Sequence, residues 1–239
     1  MKILSIDTAS DLCTVAILED EKCIKEFIVN DARNHSEKIM PVIEQALTET
    51  NLNLKDINLI VCDKGPGSFT GIRIGVGTVL AFQDTLNIPC IGISSLETLA
   101  YNVIQHNTNS NNFICSLIDA KNNNVYLGMF KYLNNECIQI EDFEFKTIDQ
   151  AISILQHYSN INSNAITFIG DGAINHKELL QTNFKNCLFA DKNELSSYSL
   201  GLAGLNAYKN GIETSLMPLY LRKSQAERAL EEKNNKDVN

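Results

Sequence analysis

The sequence predicts an α/β protein built from two lobes of the same topology, and three observations carry that prediction. Short β-branched and aliphatic runs alternate with longer stretches of helical apolar spacing. A strand-Asp-turn-strand unit occurs twice: Leu4-Ser5-Ile6-Asp7-Thr8-Ala9 is answered by Ser116-Leu117-Ile118-Asp119-Ala120, and residues 13–17 by 125–129, with Asp7 and Asp119 standing 112 residues apart (119 − 7). Between the two units lies His106-Asn107-Thr108-Asn109-Ser110-Asn111-Asn112, polar and nearly devoid of apolar side chains, which reads as a linker. The lobes are therefore expected at 1–108 and 109–222, followed by a charged tail at 223–239.

In the first half, residues 2–7, 12–18 and 22–29 read as three strands of a meander whose first turn carries Asp7 and Thr8. A strand ending in a carboxylate and a hydroxyl can present them to a ligand, and the same pair is ordinary turn chemistry. Asn34-x-x-Glu37 has the form of a capping box and opens a helix to about Thr48, with Ile39, Ile43, Ala46 and Leu47 on one face. Pro41 falls in its first turns, where proline is tolerated. Met40 lies off the apolar stripe and is expected to be exposed unless something covers it. His35 reads as a polar cap or surface group, because Ile at position 39 leaves no His-x-x-x-His pair for a metal.

The next strand, 57–62, leads into Gly65-Pro66-Gly67-Ser68-Phe69-Thr70-Gly71-Ile72-Arg73-Ile74-Gly75 and a helix to about Asn87. A strand, glycine turn and helix aim backbone N–H groups outward and suit an anion, although most such turns bind nothing. No Lys-Ser/Thr pair follows the last glycine, and Thr70 occupies the third glycine position of a dinucleotide fingerprint, so both known phosphate loops are excluded. Gly67, Gly71 and Gly75 fall four apart on one helical face, at about 1 kcal/mol each against alanine inside a helix. Close approach of another backbone offsets that cost, and the backbone is either a partner's or that of the chain's own sheet.

A short strand at 90–93 and a helix opened by Ser94-x-x-Glu97 complete the first half. In the second, strands are expected at 116–120, 125–129, 137–145 and 165–169, with a helix at 148–158. Gly170-Asp171-Gly172 is a second glycine turn that either approaches a ligand or only turns the chain. A helix over 196–209 ends before Gly211, a suitable glycine cap, and Pro218-Leu219-Tyr220-Leu221-Arg222 is a last extended piece.

Composition narrows the function classes. The 239 residues are 44% hydrophobic, ample for a core, and no apolar run is long enough for a membrane helix. Met1-Lys2-Ile3-Leu4 enters a strand and not a signal sequence, so a soluble cytoplasmic protein without membrane association is expected. Seven scattered cysteines with no Cys-x-x-Cys pair read as buried thiols. A net charge of −9 and a pI near 4.9 argue against a lone phosphate-backbone binder, so any nucleic acid should be held by a partner.

Ile6-Asp7-Thr8-Ala9, Asn34-His35-Ser36, the run from Gly65 to Arg73, Ile118-Asp119-Ala120 and Pro218-Leu219-Tyr220-Leu221-Arg222 occur in the order and spacing of one family. From Met1 to about Glu227 the chain resembles the TsaB (YeaZ) family of bacterial tRNA threonylcarbamoyladenosine biosynthesis proteins. The resemblance implies the duplicated actin, Hsp70 and sugar-kinase fold (ASKHA, ribonuclease H-like). It implies a non-catalytic subunit that activates a TsaD-like transferase, joined by a TsaE-like ATPase, in making N6-threonylcarbamoyladenosine beside the anticodon of tRNAs reading ANN codons. TsaD-like proteins hold a metal through His-x-x-x-His, whose second member is Ile39 here, so the resemblance implies no metal and no catalytic residue in this chain. ATP with magnesium would be used by the complex, with no cofactor held by the subunit itself.

Family members pair through their first two helices, with a homodimer when TsaD is absent. The implied interface residues are His35, Met40, Ile43, Gly71, Gly75 and Val79, and a Gly75→Leu change is expected to block docking. Asp7, Thr8, Gly170, Asp171 and Gly172 match positions that contact phosphate or nucleoside in the kinase-like superfamily. An active ATP-dependent kinase or ATPase is the competing reading, while no nucleophile-base set supports peptide cleavage.

Overall fold

The computed structural model describes residues 1–30, 34–106, 113–133, 136–161 and 165–223. Strands β1 (Lys2–Asp7), β2 (Leu12–Glu19) and β3 (Lys22–Asn30) form the antiparallel meander, and β4 (Leu59–Asp63) and β5 (Cys90–Ile93) extend it in parallel on the other side of β1. The sheet order is β3-β2-β1-β4-β5. Its central strands are buried on both faces, which explains the continuous apolar runs in β1 and β4. Helix α1 (His35–Glu49) buries Ile39, Val42, Ile43 and Ala46 on one stripe. Helix α2 (Phe69–Leu86) starts where Ser68 Oγ accepts the Gly71 N–H at 3.2 Å and stops at Asn87, left-handed at φ 57°. Helix α3 (Ser95–His106) follows β5.

The second sheet comprises β6 (Phe113–Asp119), β7 (Asn124–Leu133), β8 (Glu136–Gln139), β9 (Glu144–Thr147), β10 (Ile166–Ile169) and β11 (Cys187–Phe189). Around it lie α4 (Ile148–Ile161), α5 (Asp171–Asn175) and α6 (Lys177–Asn183), and the last helix is α7 (Ser197–Lys209). Its order, β11-β10-β6-β7-β8 with β9 also on β7, matches the first sheet strand for strand when read from the other edge. The internal repeat is thus a repeat of topology. Asp7 faces Thr14 while Asp119 faces Val125, so the second hairpin is one residue tighter than the first.

The layers run α1 and α2, first sheet, α7 beside α3, second sheet, then α4 to α6. Leu200, Ala203 and Leu205 of α7 pack with Ile3, Leu18, Leu59 and Val61 of the first sheet, and Ile148, Ala151 and Leu155 of α4 pack with Cys115, Leu127 and Phe168 of the second. Gly201 and Gly204 let α7 come close: a Cβ at Gly204 would lie 2.4 Å from Val61 Cγ2. Ser197 at the start of α7 pairs its hydroxyl with Thr14 at 2.7 Å, and its carbonyl accepts Ser5 Oγ at 2.5 Å.

Several expectations are corrected. Residues 109–222 do not form one lobe, because α7 returns to the first sheet. The 108/109 boundary itself and the tail beyond Lys223 lie outside the described residues, as do linker residues 107–112. Asn34 caps α1 through its carbonyl, which accepts Glu37 N and Lys38 N at 3.0 Å, and its side chain makes no capping bond. The strand expected at 137–145 is two, β8 and β9, both on β7. Residues 218–222 are extended as expected, a strap outside both sheets fixed by Leu219 N to Lys64 O at 2.7 Å. The short elements α5, α6 and β11 carry too few periodic residues to be read from sequence.

Candidate functional site

A cleft of about 510 Å³ opens between the sheets, walled on one side by residues 9–12 and 66–69 and on the other by 118–121, Asp171, 193–195 and Arg222. Acids outnumber bases on its walls, with Asp11, Asp119, Asp171 and Glu194 against Lys121 and Arg222. Asp119 ends β6 and is already satisfied: Oδ1 accepts the Lys121 N–H, and Oδ2 receives Lys121 Nζ at 2.9 Å and Asn175 Nδ2 at 3.2 Å. Partial burial pushes its carboxyl up, but the bonds from Lys121 outweigh that and hold it below the usual carboxylate range. Asp171, raised by burial, accepts the Asp119 N–H at 2.9 Å and so ties the second glycine turn to β6. Lys121, Asn122 and Asn123 are all left-handed, at φ 65°, 54° and 59°, a rare run for residues with side chains, and the Asp119 bonds hold it.

The two glycine turn positions flanking Asp171 are structural. A Cβ at Gly170 would lie 2.2 Å from Leu117 O and one at Gly172 2.9 Å from the same carbonyl. Of the residues expected to meet a phosphate or nucleoside, Asp171 lines the cleft, while Asp7, Thr8, Gly170 and Gly172 do not. Asp7 is 0% exposed, with Oδ1 accepting Ala9 N at 2.7 Å. Thr8 donates its hydroxyl to Gly71 O at 2.7 Å.

Asp7 has a companion that sequence reading passed over. Asp63 ends β4 as Asp7 ends β1, in the next register pair after Ile6 and Cys62. Its Oδ1 accepts Gly65 N and Ser95 Oγ, both at 2.7 Å. Both Oδ2 atoms are buried without a hydrogen-bond partner among the described residues. Burial, then the Asp63 charge, raises Asp7 well above the usual range, and burial pushes Asp63 up to about 7.

The glycine face of α2 lies against the chain's own first sheet. A Cβ at Gly71 would stand 1.8 Å from Thr8 O, at Gly67 2.2 Å from Ala9 O, and at Gly75 2.6 Å from Thr8 Oγ1. Gly71, Gly75 and Val79 are buried, so they are not available to a partner, and a Gly75→Leu change would disrupt the fold before it tested docking. Ile43 and His35 are buried as well, at 2% and 4% exposure. His35 Nε2 lies 3.0 Å from Ser10 O, and Ile39 sits in the core. Of the implied interface residues, Met40 alone is on the surface, half exposed.

The outer faces of the same two helices are nevertheless apolar. Met40 on α1 and Leu80 on α2 are exposed, and Met40, Pro41, Leu47, Leu52, Leu54 and Phe82 border a groove of about 570 Å³. Gly77 lies on the open side of α2 with no neighbour near its missing Cβ. These surface positions follow the buried ones by one or two residues, on the other side of the same helical period.

Among the described residues no set of three or more His, Cys, Asp or Glu could hold a metal, and no helix is long and apolar enough to cross a membrane. A family model described as TsaD, tRNA N6-adenosine threonylcarbamoyltransferase, matches residues 23–230. A Bacillus subtilis (strain 168) protein, called tRNA threonylcarbamoyladenosine biosynthesis protein TsaB, is 31% identical over 232 residues, 95% of this chain and 96% of its own. Among solved structures, YeaZ from Pseudomonas aeruginosa aligns with TM-score 0.73 and 22% identity over 92% of this chain and 99% of its own. A ROK hexokinase from Thermus thermophilus aligns with TM-score 0.57 and 9% identity over 88% and 100%. At such identities these two likenesses speak to the fold, which is the duplicated actin and sugar-kinase one.

Proposed function

The chain belongs to the TsaB family and takes part in tRNA threonylcarbamoyladenosine biosynthesis within TsaD-containing modification machinery; from that premise we propose that it is the non-catalytic activating subunit. It pairs with a TsaD-like transferase, a TsaE-like ATPase joins them, and the product is N6-threonylcarbamoyladenosine beside the anticodon of tRNAs reading ANN codons. The work is cytoplasmic, and tRNA is held by the partner, in keeping with the net charge of −9.

The observation that carries the non-catalytic reading is the state of the first-lobe acid. Asp7, the carboxylate this fold offers to a phosphate and its cation, is fully buried and bound to Ala9 N. Asp119, its repeat counterpart, is ion-paired with Lys121 and hydrogen-bonded by Asn175. These residues do not fit a magnesium-bound triphosphate, so ATP is consumed by the complex and not in this cleft. The match to a model named for the transferase is in keeping with a shared fold, since Ile39 stands in the core where the transferases carry their second histidine.

Docking runs through the outer faces of α1 and α2, where Met40, Leu80 and the groove beside Phe82 leave apolar surface in water. The same face makes a homodimer when the transferase is missing. Met40→Asp with Leu80→Asp places two charges there without touching the buried glycine face. Size exclusion with light scattering should give a heterodimer with a TsaD-like transferase for the native chain and separate components for the double variant, with modification activity lost in parallel. An unimpaired complex in the double variant would reject this face. The competing reading, an ATP-dependent kinase or ATPase, has the cleft in its favour, and ATP turnover by the chain alone would establish it in place of the subunit role.

A further inference from the structure

Beyond α7 the chain does not simply end at the first sheet. Residues 215–222 run from the outer side of β5 to the far rim of the cleft. Leu216 anchors the start of this strap in the main core, and Lys64 grips it twice: Lys64 O accepts Leu219 N at 2.7 Å, and Lys64 Nζ donates to Ser215 O at 3.4 Å. Glycine allows both approaches, since a Cβ at Gly92 would lie 2.4 Å from Ser215 O and one at Gly65 3.0 Å from Leu219 O.

The strap then meets both rims. On the first-sheet rim Tyr220 stacks on Phe69, ring centres 4.6 Å apart and planes 11° apart, and its hydroxyl accepts Arg73 Nε at 2.9 Å. Phe69 itself lines the cleft. On the second-sheet rim Arg222 donates Nη1 to Ala120 O at 2.7 Å and lies over the Phe145 ring at 5.1 Å. Ala120 follows β6 directly and opens the left-handed turn at 121–123. One short segment therefore grips the N-terminus of α2 and the end of β6 across the open side of a two-lobed molecule.

We propose that residues 215–222 form a latch that sets the separation of the two lobes, with Arg222 as its catch on the second lobe and Tyr220 as its hold on α2. A guanidinium satisfies the catch because its fork donates to the carbonyl while its face rests on the ring. Release of Arg222 frees the second-lobe rim while Tyr220 keeps the strap on α2, so the cleft widens by rotation about the α3 and α7 layer. This device is independent of whether the cleft takes a ligand and of whether α1 and α2 dock a partner.

The test uses the full chain with spin labels carried by non-native amino acids at exposed Glu44 on α1 and Glu178 on α6, which leaves the seven cysteines untouched, diluted in an excess of unlabelled chain so that only the distance within one molecule is read. The native chain should give one narrow distance. Arg222→Ala should broaden and lengthen it, and should speed amide exchange in the turn at 121–124 about tenfold or more while the amides of β1 and β4 stay protected. If Arg222→Ala also strips protection from β1 and β4, it has unfolded, and Arg222→Met, which keeps the stem on Phe145 without donating, decides. Native distance and native exchange in a folded Arg222→Ala or Arg222→Met chain would overturn the latch.

Discussion

Replacing Asp63 with asparagine tests the buried acid pair. Asp63 titrates near 7 in the folded chain against 3.8 for a free side chain, because burial disfavours its charge. Between those values the folded chain holds a proton that the unfolded chain has released, so raising the pH favours unfolding. The contribution is fully present below pH 3.8 and is gone above about 7. A span of about 3 units at about 1.36 kcal/mol each is about 4 kcal/mol of stability lost across that window. The asparagine amide would keep the acceptor for Gly65 N and Ser95 Oγ and would put an amide where the buried, unpartnered Oδ2 lies. Urea unfolding from about pH 4 to about pH 8 should show both chains losing stability, because burial still holds the Asp7 proton in the variant, but Asp63→Asn losing less and being the more stable of the two at about pH 8, by about 2–4 kcal/mol. A native chain whose stability does not fall over this range, or a variant less stable than the native chain at the alkaline end, would refute the account of Asp63 as an acid kept protonated by burial.

The remaining expectations use the same assay. Gly71→Ala should cost about 2–4 kcal/mol, since its methyl would enter Thr8 O, whereas Gly77→Ala, on the open side of the same helix, should gain about 0.5–1 kcal/mol; similar effects at both would show that packing on β1 is not what the glycine face is for. Ser197→Ala leaves the buried Thr14 hydroxyl without its 2.7 Å partner and should lower stability by about 1–3 kcal/mol; an unchanged midpoint would remove this contact from the account of how α7 is held.

The parts of the fold legible in sequence were those with a strong local period or a repeat. β1, β2 and β3 were read within a residue or so, and the Asp7 and Asp119 units gave the duplication before any coordinate. What failed were questions of which side. The spacing of Gly67, Gly71 and Gly75 says that a backbone comes close, and nothing in the spacing says whose; the answer, Thr8 and Ala9, is a contact across roughly 60 residues. The same limit hid Asp63, whose importance lies in being laid beside Asp7 by the parallel pairing of β1 and β4. Arg222 was read as part of a motif, but its reach to Ala120 depends on the path of the strap, which no local pattern specifies.

The exchange of helices between halves carries a consequence for the gene as well as the molecule. Two copies of a unit joined end to end would normally survive being cut apart, each half carrying its own core. Here α3 belongs by sequence to the first copy and lies on the second sheet, and α7 does the reverse, so a cut at the seam strips each fragment of the helix that shields its inner face. Ser5, Thr14 and Val61 would meet water in one piece, and the inner face of β6 and β7 in the other. Each half therefore depends on the other for the cover of its inner face.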